Sequence, residues 1–185
     1  MTKQFSIILL LAFLTLPGLV NAQSTVHMTV HRENAGSLNE HGWITAESTE
    51  GKFAVELPSP FNDATVSDKE PSPVLKAYSI GTTTPDNIRF LATRISYRTP
   101  GHASSILDRL ENGEGVPEKV LGIDKLQHLG FRAISVMIWK PGTFLAQQTH
   151  LVGEDTVTLM IEGPIEKIDS LKSTGNHFFD SLRIQ

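Results

Sequence analysis

The chain has 185 residues, 39% of them hydrophobic and 19% charged, with 20 acidic against 16 basic side chains and no cysteine. That composition suits one folded domain and excludes disordered, collagen-like and repeat architectures. The acidic excess gives no basic stripe for nucleic acid, and the missing cysteine removes disulfides, thiolate catalysis and every Cys-based metal site.

The first residues read as an export address. Lys3 precedes an apolar block from Phe5 to Leu16, Pro17-Gly18 breaks it, and Val20-Asn21-Ala22 offers a small-residue cleavage site. This is the layout of a secretory signal, residues 1–22, cut between Ala22 and Gln23. The block is shorter than the roughly 20 apolar residues of a permanent span, so no membrane span is expected. No cysteine follows the block to carry a lipid. The mature chain is therefore expected in the periplasm or outside the cell, where its core must hold without disulfides.

Residues 23–41 are polar, and the alternation of Val26, Met28 and Val30 fits either a short edge strand or a mobile arm. Residues 42–185 read as one domain. Phe53, Val55 and Leu57 alternate with Lys52 and Glu56, a strand packed on one side and stopped at Pro58. Four prolines among residues 58–73 predict a surface loop. Val74–Ile80 and Ile88–Tyr97 predict an antiparallel pair joined by the Thr-rich 81–87 loop.

Ala103, Ile106, Leu107 and Leu110 stand at helical spacing, with Asn112-Gly113 as a stop. Residues 114–125 stay ambiguous between strand and turn. Residues 131–140, 144–152 and 156–162 predict three hairpin-linked strands, the first apolar on both faces. Pro164 suits a first helical position, and Ile165, Ile168, Leu171, Phe178 and Leu182 predict a terminal helix kinked or broken at Gly175-Asn176. The element order predicts an α+β fold, an antiparallel sheet with helical cover.

Two segments, Trp43 with Glu50-Gly51-Lys52-Phe53-Ala54-Val55-Glu56-Leu57-Pro58 and the ending Gly175 to Gln185, frame the three strands between 127 and 162. Over about 140 residues this pattern resembles the PsbP-like superfamily, which groups PsbP with DcrB-like envelope proteins. The resemblance implies an α/β/α sandwich used for docking rather than catalysis. It supplies no catalytic residue, and its members' functions differ.

No catalytic set stands out. His27 and His31 are the only weak metal candidates. On a strand they lie about 13 Å apart, too far for one ion, and a solvated arm is the plainer reading. No H-E-x-x-H spacing, nucleophile elbow or phosphate loop occurs. Asp108, Glu111, Glu114 and Asp155 read as solvated carboxylates, and His128 and His177 as packed or capping histidines. His150, beside Gln147 and Gln148, reads as half-exposed on its strand. Trp43, His150 and Phe179 are the residues singled out for a partner surface, with core packing the alternative for Trp43 and Phe179. The expectation is a noncatalytic exported accessory protein that needs no cofactor and docks on another envelope protein. The alternatives are a small-ligand or metal binder, or an enzyme without a recognisable motif.

Overall fold

The computed structural model describes residues 26–67, 72–114 and 120–185. The stretch read as a secretory signal, residues 1–22 with Lys3 and Ala22, and the expected new terminus Gln23 lie outside the described residues, as do 68–71 and 115–119. Among the described residues two antiparallel sheets form. The large one runs β1 (His27–Ala35), β4 (Phe61–Ser67), β5 (Val74–Thr83), β6 (Arg89–Tyr97), β10 (Asp155–Pro164), β9 (Thr143–Val152), β8 (Phe131–Lys140) and β7 (Val120–His128), in that spatial order. The small one runs β11 (Arg183–Ile184), β3 (Phe53–Leu57), β2 (Ile44–Glu47). Two helices accompany them, α1 (His102–Glu111) and α2 (Ile168–Asp180).

Strand pairing decides which side chains share a face. Phe90, Ile161 and Ala146 are cross-strand neighbours, as are Ala92, Leu159 and Gln148. On this face the small sheet and α2 close the main core, where Phe53, Val55, Leu57, Phe90, Val157, Leu159, Ile161 and Phe178 are all essentially inaccessible. Phe90 and Phe178 meet edge to face, with centroids 5.4 Å apart, the geometry that ring quadrupoles favour. The opposite face carries a second core, where Leu107 of α1 packs with Ile134, Val136, Ile138 and Leu145.

An α/β/α sandwich with helical cover is thus corrected to a sheet-dominated fold, 57% strand against 16% helix among the described residues. One face is covered by a second sheet as much as by a helix, and α1 packs mainly against the β7–β9 end of the other. The excess strand comes from three stretches. Residues 27–35, read as part of a polar arm, pair with β4. Residues 61–67, expected as loop, form β4: the prolines at 58, 60, 71 and 73 flank this strand rather than interrupt it, so every N–H its two neighbours need is present. The ambiguous stretch resolves as β7 from Val120 onward.

The helix expected around 103–110 is present, with Ala103 and Leu107 buried. The terminal helix starts at Ile168 and runs straight through Gly175-Asn176. Gly175 serves close approach instead of a break: a Cβ there would stand 3.1 Å from Ile161 Cδ1 on β10. β1 is an edge strand with two register shifts against β4, one between Val30 and Arg32 and one between Arg32 and Ala35.

Candidate functional site

Three polar constellations and one apolar edge carry chemistry. The first lies beneath the β2–β3 turn, at the β1–β4–β5 end of the large sheet. Asp63 of β4 is fully buried, and its Oδ2 accepts from Thr49 N at 2.8 Å, Thr49 Oγ1 at 2.6 Å and Arg32 Nη2 at 3.1 Å. Arg32 also donates to the Glu47 carbonyl. Among the described residues Asp63 Oδ1 finds no hydrogen-bond partner. Beside it His31 Nε2 meets Thr65 Oγ1 at 2.8 Å and lies 3.9 Å from Glu50. Gly51 closes the turn, because a Cβ there would come within 2.8 Å of Phe53, Ser48 and Tyr78. The set fastens one turn to the sheet.

The second constellation joins the two segments that carry the family resemblance. Trp43 stacks on His177 of α2, with centroids 3.9 Å apart. His177 Nε2 bonds Glu56 of β3, and Arg183 lies 3.9 Å from the same carboxylate. Ser181 Oγ accepts from Glu56 N and donates to the Phe178 carbonyl. These contacts clasp the end of α2 to the small sheet.

The third is a histidine pair. Cross-strand pairing places Arg94, Val157, His150 and Ala133 in one row across β6, β10, β9 and β8. His150 is fully buried there, and burial pushes its pKa down to about 4, so it is neutral near pH 7. Its Nδ1 lies 3.3 Å from the Val157 carbonyl and its Nε2 3.1 Å from His128 Nδ1. His128 Nε2 lies 4.0 Å from Asp180 Oδ1 at the end of α2.

The residues singled out in sequence do not converge. His27 is exposed and His31 is engaged with Thr65, so β1 does not bring them together. Of the three partner-surface residues, Trp43 alone is half-exposed. His150 is corrected from half-exposed to fully buried, and Phe179 lies in the main core with only 8% of its surface exposed. His150 lies on β9 between β10 and β8, and Phe179 lies on α2, which packs against the main core. Asp108 and Glu111 bind Arg132 at 2.7 Å, and Lys125 joins Glu111 at 3.1 Å. The two donors hold the Glu111 carboxyl below the usual carboxylate range. Asp155 binds Arg94 at 2.7 Å.

A shallow pocket of about 330 Å³ is lined by Thr83, Asn87, Arg89, Thr143 and Glu162. It lies at the opposite end of β9 from His150, about 23 Å away at the rise of a strand. The 81–87 loop and His150 therefore do not form one ligand site. No group of three or more His, Asp or Glu side chains able to hold a metal occurs among the described residues. Among them, too, no helix is long and apolar enough to cross a membrane.

The apolar edge is β1. Val26, Met28 and Val30 are 42%, 50% and 41% exposed, and the outer side of β1 has no strand partner among the described residues. The alternation alone leaves a short edge strand and a mobile arm both open; pairing with β4, which the prolines concealed, makes it the edge strand.

The chain path is similar to that of two solved structures. Cyanobacterial PsbP (CyanoP) from Synechocystis sp. PCC 6803 superposes with a TM-score of 0.49 at 9% identity, over 83% of this chain and 98% of that one. LpqN, involved in cell envelope biogenesis of Mycobacterium tuberculosis, does so with a TM-score of 0.42 at 12% identity, over 87% and 92%. Both are PsbP-like folds, the superfamily that the segments around Trp43 and Gly175 resemble. No protein-family profile and no curated sequence matches the chain. The likeness is one of chain path, and no function follows from it.

Proposed function

We propose that this is an exported, noncatalytic accessory protein of the cell envelope that docks on another protein through the outer edge of β1. The observation that carries the reading is the exposed Val26-Met28-Val30 stripe on an edge strand. An unpaired edge offers N–H and C=O groups to an incoming strand, and the stripe asks that strand for apolar side chains at alternate positions. Export is supported by the leader sequence, with its charged start, apolar centre and V-x-A site. A noncatalytic role is supported by the engagement of the acidic and histidine side chains in structural contacts. The enzyme and small-ligand alternatives lose their ground where His150 and the 81–87 loop lie apart.

Two measurements test the reading. Fractionation with mass spectrometry should find the product outside the cytoplasm, beginning at Gln23; a cytoplasmic product that retains its leader overturns export. Envelope extracts should yield a stoichiometric partner with the wild type and lose it with Met28→Lys/Val30→Lys. A partner retained by that folded double variant overturns docking through β1.

A further inference from the structure

The 81–87 loop, parted from His150, has polar company of its own. Thr83 at the end of β5, Arg89 at the start of β6 and Glu162 near the end of β10 are cross-strand neighbours in one row. Thr143 opens β9 opposite Pro164, two positions along from Glu162 on the same face of the sheet. Asn87 adds a side-chain amide from the turn between β5 and β6. These five side chains line the pocket of about 330 Å³, at the small end of ligand sites. Four of them stand on strands, so the backbone ladder fixes their spacing.

Charge and hydrogen-bonding capacity decide what fits there. Arg89 Nη1 donates to Glu162 Oε2 at 3.2 Å, so the two charges lining the pocket among the described residues cancel. An anion would meet the Glu162 carboxylate, and a cation the Arg89 guanidinium. The Thr83 and Thr143 hydroxyls and the Asn87 amide have no side-chain partner among the described residues. Each of these groups both donates and accepts, and so does a ligand hydroxyl. Arg89 also has N–H groups beyond the one that Glu162 takes, on a side chain that is 44% exposed. We propose that this pocket binds a neutral saccharide. Adjacent ring hydroxyls match planar groups that carry polar atoms side by side, as the Asn87 amide and the Arg89 guanidinium do. Asn87 has a φ of 61°, a conformation that glycine adopts without cost; asparagine there keeps an amide at the pocket. In the sheet β4 stands between β1 and the pocket's strands, so the site is separate from docking at the β1 edge.

The experiment titrates the 15N-labelled full mature chain separately with maltose, cellobiose and N,N′-diacetylchitobiose, and with glycine and inorganic phosphate as charged probes. At least one disaccharide should bind saturably in the millimolar range, with amide shifts clustered at Thr83, Asn87, Arg89, Thr143 and Glu162. Asn87→Gly, which the turn's backbone accepts, and Thr143→Val, which keeps the side-chain shape, should each weaken binding about fivefold. The matching tetrasaccharides separate two sources: binding tighter than the disaccharide's assigns a unit within a glycan chain, equal binding a free sugar. Met28→Lys/Val30→Lys should bind the sugar unchanged, so failure of docking and failure of this site are told apart. No saturable shift with any of the three disaccharides, undiminished binding by either pocket variant, or preferential binding of glycine or phosphate at these residues overturns the proposal.

Discussion

The centre of the large sheet and its β1–β4 wing are held by different physics. At the centre, under α2 and the small sheet, Phe53, Phe90, Phe178 and Ile161 exclude water and no charge is present among them. In the wing, the turn from Ser48 to Lys52 is held over the sheet by Asp63, Arg32 and Thr49, a buried carboxylate with directional partners. Apolar packing tolerates small shifts because each contact is weak and many share the load. A buried carboxylate does not, because loss of one partner exposes its full desolvation cost. The molecule therefore has a robust middle and a brittle flank.

The largest expected effect breaks the middle. Phe178→Ala should cost about 3–5 kcal/mol, read as a lowered denaturant midpoint, because it empties the space between Phe90 and the helix. Next, Asp63→Ala should cost about 2–3 kcal/mol by removing a buried acceptor that serves two donors of Thr49 and the Arg32 guanidinium. The contrast sharpens in a double-mutant cycle. Arg32→Ala with Asp63→Ala should cost clearly less than the sum of the two singles, whereas Phe178→Ala and Asp63→Ala should add. If the Arg32–Asp63 pair is additive, the wing is not held as a network.

Acid should strain the His150 row, which crosses the large sheet from β6 to β8. The folded state holds His150 near 4, whereas the unfolded chain takes up a proton near the ordinary histidine value. Between those values the unfolded state binds more protons, so stability is full above about pH 6.5 and falls progressively toward pH 4. The loss should reach about 2–3 kcal/mol at the acid end. Thermal unfolding of the wild type and of His150→Leu across pH 4 to 7 measures it, and the variant's profile should be flatter over that interval.

The smallest effect on stability belongs to the outer edge. Met28→Lys should change the unfolding free energy by no more than about 0.5 kcal/mol, as for other exposed positions, while abolishing capture of the partner. A large loss of stability would mean that Met28 supports the wing and not an interface.

Local periodicity made the middle legible in sequence. Phe53, Val55 and Leu57 declared a one-sided strand, Ala103 and Leu107 a helix stripe, and residues 131 to 162 three hairpin-linked strands. Each signal is complete within about ten residues. The wing was not legible, because its strands are defined by a partner far along the chain. β4 sits between prolines that resemble loop punctuation, and its only charged residue, Asp63, is neutralised by Arg32 from a strand about thirty positions earlier. The histidine pair was hidden for the same reason: His128 and His150 stand 22 positions apart, and the β7, β8, β9 register brings them together. Gly175-Asn176 misled for a different reason, since the glycine answers to the approach of Ile161 and not to the helix's own backbone.

The irregular pairing of β1 sets a limit on how this edge can be used. Beyond Val30 the strand's ladder with β4 is interrupted twice, so His27 to Val30 is the stretch that keeps a regular register. Bulges of this kind twist an edge away from flat extension. An arriving segment thus has room for a single short rung, after which the curvature turns further recruits aside. On the proposed reading, a strand docked at this margin would pair over a short stretch and would not template a filament.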